Sequence, residues 1–112
     1  MSLLSNFIIL MLLKIKKKLL EIVSSLPNLE HLNINDIDVE LLFDDKGDFT
    51  TNIALKFAKI LKRNPKDFAK EIASQLNLNE IEKIDIAGPG FINLFLKDDE
   101  FINLKKHSHD LE

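Results

Sequence analysis

The chain has 112 residues, 46% hydrophobic and 29% charged, and carries a net charge of −3. That length suits one two-layer core and leaves no room for a catalytic domain with its own cofactor fold. The absence of cysteine excludes disulfides, thiolate zinc sites and thiol catalysis, and it fits a reducing, cytoplasmic setting.

The first thirteen residues, MSLLSNFIILMLL, are the one candidate for a targeting or membrane segment. They are too short for a hydrocarbon layer of roughly 30 Å. Lys14, Lys16, Lys17 and Lys18 follow the apolar run, whereas a signal peptide places its charges first. The expectation is a buried or partner-covered helix start, with no membrane anchor. Leu12, Ile15, Leu19, Ile22, Val23 and Leu26 keep helical spacing, so a helix is expected from about 6 to 25, ended by Ser24, Ser25 and Pro27.

Asn28 to Asp36 reads as a polar connection and Ile37 to Phe43 as a strand. Asp44, Asp45, Lys46 and Gly47 make a turn that lacks the ligand spacing of a calcium loop. Two helices follow. Ile53, Ala54, Phe57, Ala58 and Leu61 form the stripe of the first, with Asp48 or Thr50 placed to cap it. Asn64-Pro65 stops that helix and starts the next, whose stripe is Phe68, Ala69, Ile72, Ala73 and Leu76. Alanines in both stripes allow a close hairpin laid on a sheet.

Lys83 to Ala87 is a strand joined by Gly88-Pro89-Gly90 to another, Phe91 to Leu96, and Asp98 or Asp99 can cap a last helix through about Lys106. The order αβααββα predicts an α+β fold: a small, mainly antiparallel sheet with helices on one face. Residues 1–106 are expected to form a single domain, and 107–112 a tail, disordered or left by expression.

Charge divides along the chain. Asn28 to Thr50 holds seven acidic residues and one lysine, and Thr51 to Lys70 holds six basic residues and one acidic, so the helical middle is electropositive. No glycine-rich phosphate loop and no serine-nucleophile setting occurs. His107, Ser108, His109 and Asp110 have metal-ligand types but sit in the terminal six residues, where a frayed tail is the expectation and no metal site. The remaining question is the last strand. Ile92, Leu94 and Leu96 share one face, and Phe91, Asn93 and Phe95 the other. A second layer can cover that outer face. Alternatively an aromatic ring there can stack on an unpaired base, with an amide two residues on reading its edge.

Three segments bear on the choice: GDFTTNIAL (Gly47 to Leu55), KILKRNPKDFAKEIA (Lys59 to Ala73) and AGPGFINLFL (Ala87 to Leu96). In order and spacing they resemble the N-terminal additional domain of arginyl-tRNA synthetases, over about 60 of the 112 residues. The resemblance implies a tRNA-binding accessory domain that meets the D-loop, at the elbow of tRNA-Arg. By position, Phe91 after Gly90 would stack on a D-loop base and Asn93 would hydrogen-bond to it. Lys56, Lys59 and Arg63 are candidates for phosphate contact, with Lys62, Lys66 and Lys70 as further basic residues of the same helices. Gly47, Asp48, Thr51 and Asn52 match the family as well and are given architectural roles at the entry to the helix. In some relatives the position of Phe95 is basic.

The family's catalytic signatures of H-I-G-H and K-M-S-K type do not occur in these residues. The chain alone is therefore expected not to be an enzyme and to need no cofactor. ATP and magnesium would serve the parent ligase through its catalytic domain, the second partner besides tRNA. A different class of function, a protein-interaction or dimerisation module, would use the Phe91 and Phe95 face and the apolar N-terminus.

Overall fold

The computed structural model describes residues 3–97. The expected helix after Asp98 and the histidine tail lie outside the described residues. Helix α1 (Leu3–Ser24) turns its Met11, Ile15, Leu19 and Val23 stripe inward, close to the spacing read from sequence. It ends where Leu26 donates its N–H to the Val23 carbonyl. Among the described residues no helix is long and apolar enough to cross a membrane.

The connection after α1 contains one 3-10 turn, Ile34–Asp36. Asn33 accepts the Asn35 N–H through Oδ1, and Asp36 accepts the Asn33 N–H in return. This turn consumes Ile37, so strand β1 runs Val39–Asp44, two residues later than the hydrophobic run suggested. Strand β2 (Gly47–Thr51) was expected to be turn and helix cap. Its single large apolar side chain, Phe49, gives no alternation to read; pairing with a strand on each side makes it a strand.

Helices α2 (Ile53–Leu61) and α3 (Pro65–Gln75) meet at the predicted Asn64-Pro65 break. Asn64 Oδ1 accepts the Asp67 N–H at 3.0 Å, and Pro65 occupies the first position, where its missing N–H costs nothing. Strands β3 (Ile81–Ala87) and β4 (Phe91–Leu96) form a hairpin through Gly88-Pro89-Gly90. The four strands lie in the order β1-β2-β4-β3, every neighbour antiparallel.

Strand alternation gives this sheet two unlike faces. Val39, Phe49, Ile92, Leu94 and Leu96 join the α1, α2 and α3 stripes in one core, so the three helices cover one side of an α+β domain, as expected. Glu40, Thr50, Asn93 and Asp85 stand opposite one another across all four strands on the other side.

Lys14 of α1 is tied to Glu80, just before β3, by an ion pair. Its hydrogen bond lowers the Glu80 carboxyl below the ordinary range, assisted by the backbone of Glu80 itself. A carboxyl lowered on folding stabilises at pH above its unfolded value, and that share disappears as pH falls through the lowered one. Both side chains are partly exposed, so the contribution is under about 1 kcal/mol. In a carboxyl-carbon titration, Lys14→Met is expected to raise the Glu80 midpoint toward the ordinary value. An unmoved midpoint would remove Lys14 as the cause.

Candidate nucleic-acid interface

The outer sheet face is less open than alternation alone implies. Phe91, at the first position of β4, is 40% exposed, and Phe95 is half-buried. Asn93 is only 7% exposed, which corrects the expectation of an asparagine shown to water between two rings. Two neighbours shield it. The Thr50 hydroxyl donates to Asn93 Oδ1 at 2.6 Å, and the Gly47 backbone lies so near that an added Cβ would sit 3.3 Å from Asn93 Cβ.

The carboxamide is therefore half-committed. Its oxygen is occupied by Thr50, while its NH2 group has no protein partner among the described residues and remains in contact with solvent. Thr50 fixes which end of the amide faces outward, so Asn93 presents a donor.

Beside Phe91 lies a depression of about 80 Å³ lined by Asp38, Glu40, Thr50 and Asn52. Most of its polar groups are acceptors: two carboxylates and the carboxamide oxygen of Asn52, which is buried without a hydrogen-bond partner among the described residues. Such a lining suits the N–H edge of a base and repels a phosphate. Toward the β3 edge of the same face, Lys83 stands 4.8 Å over the Phe95 ring and 3.5 Å from the Asp85 carboxylate.

The candidate cations separate into two sets. Lys56 is held by the Asp38 carboxylate at 3.0 Å and the Asp36 carbonyl at 2.8 Å. Arg63 pairs with Glu71 and lies over the Phe68 ring at 4.9 Å. Lys59, Lys62, Lys66 and Lys70 are exposed and make no ion pair among the described residues.

The glycine-and-threonine segment is placed by packing. Asp48 is 5% exposed and accepts the Leu96 N–H at 2.7 Å; Thr51 Oγ1 accepts the Ile53 N–H at the entry to α2. Asp48 and Thr50 were the candidate caps of α2, and neither serves, because both side chains are engaged with β4. Asn52 stands at the cap position with no side-chain cap bond. Gly90 is buried, with Pro65 directly against it. Among the described residues no three His, Cys, Asp or Glu side chains converge as metal ligands.

Glu40 and Asp38 went unnoticed in the sequence, and Thr50 was read only as a candidate helix cap. The signal was available only through register: once Gly47–Thr51 is a strand beside β4, Thr50 must face Asn93.

The family model described as the arginyl tRNA synthetase N terminal domain matches residues 8–96. The arginine–tRNA ligase of Mycoplasmoides gallisepticum is 43% identical over 84 residues, covering 70% of this chain and 15% of the relative. That of Staphylococcus aureus is 42% identical over 88 residues, 74% of this chain and 16% of the relative. A segment of 55 residues, 47% of this chain, is 54% identical to the Oceanobacillus iheyensis arginine–tRNA ligase and covers 10% of it. In fold, the crystal structure of arginyl-tRNA synthetase from Plasmodium falciparum superposes with a TM-score of 0.62 over 82% of this chain and 17% of that one, at 22% identity. The chain thus spans about a sixth or less of the length of these relatives. With a family match from the second turn of α1 to the last residue of β4, the chain belongs to the arginyl-tRNA synthetase N-terminal domain family.

Proposed function

We propose that this domain binds tRNA-Arg at the D-loop side of the elbow and positions it for arginylation by a catalytic domain outside the chain. ATP and magnesium would act in that catalytic domain. The observation that carries the reading is the exposed Phe91 ring, beside an acceptor-lined depression and on the same sheet face as the outward NH2 of Asn93. A ring so placed can stack on one unpaired base, while the depression and the amide take its edge. Where some relatives carry a basic residue at the position of Phe95, this chain sets the Lys83 ammonium over the ring from the neighbouring strand.

Binding is weak in this reading. The face is bordered by Asp38, Glu40 and Asp85, and one stacked base contributes roughly 1–3 kcal/mol. A dissociation constant above about 10 μM, less than about 7 kcal/mol, is expected for the isolated chain. The test is a titration of tRNA-Arg into isotope-labelled protein, followed by backbone and asparagine amide shifts. Shifts should cluster at Phe91, Asn93 and Thr50. Phe91→Ala should weaken binding by about 1–3 kcal/mol without altering stability, because the ring leaves no core cavity behind. If tRNA moves no resonance of this face at high concentration, the reading fails.

A second reading is favoured by Leu3, Ile9, Leu10 and Leu13, all exposed on α1. Burial of this helix face against another body would make the domain an interaction module. A concentration-dependent mass together with no response to tRNA would select it.

A further inference from the structure

The acid-lined depression leaves open where the negative backbone of a bound RNA goes. A base stacked on Phe91 brings its own phosphates with it, and on the β1 side they meet the Glu40 carboxylate, which has no ion pair among the described residues, beside the Asp38–Lys56 pair. On the other side, the residue before Phe91 touches a basic corner. A Cβ added to Gly90 would sit 3.1 Å from the Pro65 carbonyl oxygen, so the β3–β4 turn and the α2–α3 connection are in direct contact. Lys66 follows Pro65 and Lys62 stands three residues before it, both exposed and free of ion pairs among the described residues. Of the acids of this corner, Glu71 is taken by Arg63; the exposed Asp67 carboxylate beside Lys66 offsets part of the positive charge and leaves the two lysines in excess.

The backbone adds an independent indication. Lys62 ends α2 in the left-handed conformation, φ 53° and ψ 48°, with its N–H on the Ala58 and Lys59 carbonyls. Glycine is the residue that adopts this helix-ending conformation without steric cost. A lysine in this conformation costs about 1 kcal/mol relative to glycine, which makes a use for its side chain a testable idea.

We propose that the α2–α3 corner is the phosphate-binding edge of this domain, with Lys62 and Lys66 contacting the phosphates next to the nucleotide stacked on Phe91. This rests on the tRNA reading above and adds to it the residues that hold the backbone. It moves that role away from Lys56 and Arg63, which are already paired at the surface with Asp38 and Glu71. Lys59 and Lys70 lie a turn further along α2 and α3 from the Pro65–Gly90 contact.

The experiment measures affinity of the 112-residue chain for an unmodified tRNA-Arg transcript across a series of salt concentrations, for the wild type, Lys62→Gly, Lys66→Gln, Phe91→Ala and the charge-matched control Lys17→Gln. Lys62→Gly and Lys66→Gln should each weaken binding roughly three- to fivefold at 0.15 M salt. Each should make the log–log salt slope shallower by about 0.7–0.9. Lys62→Gly should at the same time raise the melting midpoint by roughly 2–5 °C. Loss of affinity in a variant that is more stable cannot be blamed on misfolding. Lys17→Gln should leave the slope unchanged.

If Phe91→Ala weakens binding while Lys62→Gly and Lys66→Gln leave affinity and slope as they were, the corner is not the phosphate edge and the tRNA reading stands. If Lys17→Gln weakens binding as much as the corner variants, only net charge is being measured and the assignment falls. If the wild-type chain binds no transcript, the tRNA reading fails and this inference with it.

Discussion

Gly90→Ala is expected to lower stability by about 2–5 kcal/mol, the largest effect of any single methyl addition on this fold. Two costs combine. The added Cβ would meet the Pro65 carbonyl oxygen at 3.1 Å and its carbon at 3.2 Å, both backbone atoms that cannot rotate away. Gly90 also holds φ at +148°, a conformation L side chains rarely adopt. Gly88→Ala separates these costs. Gly88 sits at φ +53° with nothing nearer than the Phe91 ring at 3.9 Å, so only the backbone term of about 1–2 kcal/mol applies. Denaturant midpoints should therefore rank wild type above Gly88→Ala and Gly88→Ala above Gly90→Ala. Equal losses would mean that the contact with Pro65 is soft and that the turn and the basic corner are not firmly joined. The contact bears on the proposed function because it joins the turn before Phe91 to the corner that carries Lys62 and Lys66.

The helices were legible in the sequence because each carries a stripe at helical spacing and a local stop. Asn64-Pro65 even specified the cap bond, since the cap oxygen and the N–H that donates to it lie three residues apart in one segment. The hairpin of β3 and β4 was legible for the same reason: its turn is written in Gly88, Pro89 and Gly90. Strand β2 was not, and its loss concealed most of the site. GDFTT owes its extended form to pairing with β1 just before it and with β4, where Thr50 meets Asn93 across 43 residues, and its one large apolar side chain gives no alternation to tell it from a turn followed by a cap.

The consequences for the candidate residues follow from that one omission. Without β2 there is no partner for Asn93, so the amide reads as free, when its oxygen in fact belongs to Thr50. Without register, Lys56 and Arg63 count as available cations, when tertiary contacts have brought Asp38 to one and Glu71 to the other. Lys62 and Lys66 could be listed from sequence but not ranked, because what joins their corner to the turn before Phe91 is the Pro65–Gly90 contact. What the motif transmitted reliably was identity of position; what each side chain touches depended on pairing across the sheet.

Asp48→Ala is the second large effect, a loss of about 2–4 kcal/mol. The β2–β4 ladder pairs Thr51 with Ile92, Thr50 with Asn93 and Phe49 with Leu94, and goes no further. The Leu96 N–H falls beyond its end, and the buried Asp48 carboxylate accepts it at 2.7 Å in place of a strand carbonyl. A hydrogen bond to a charged group is worth about 1.5–3 kcal/mol, and removing it also strands a buried donor. Asp48→Asn keeps an oxygen that can accept, so its loss should be about half that of alanine, with an unchanged denaturant m-value for both. An alanine variant as stable as the wild type would show that Leu96 finds another acceptor and that Asp48 is kept for some other purpose. If the loss is as large as expected, the residue that looked like a helix cap is the clamp that closes β2 onto β4. Thr50 lies two residues from that clamp, so the outward turn of the Asn93 amide would depend on it, and amide shifts of Asn93 in Asp48→Asn should move even where RNA is absent.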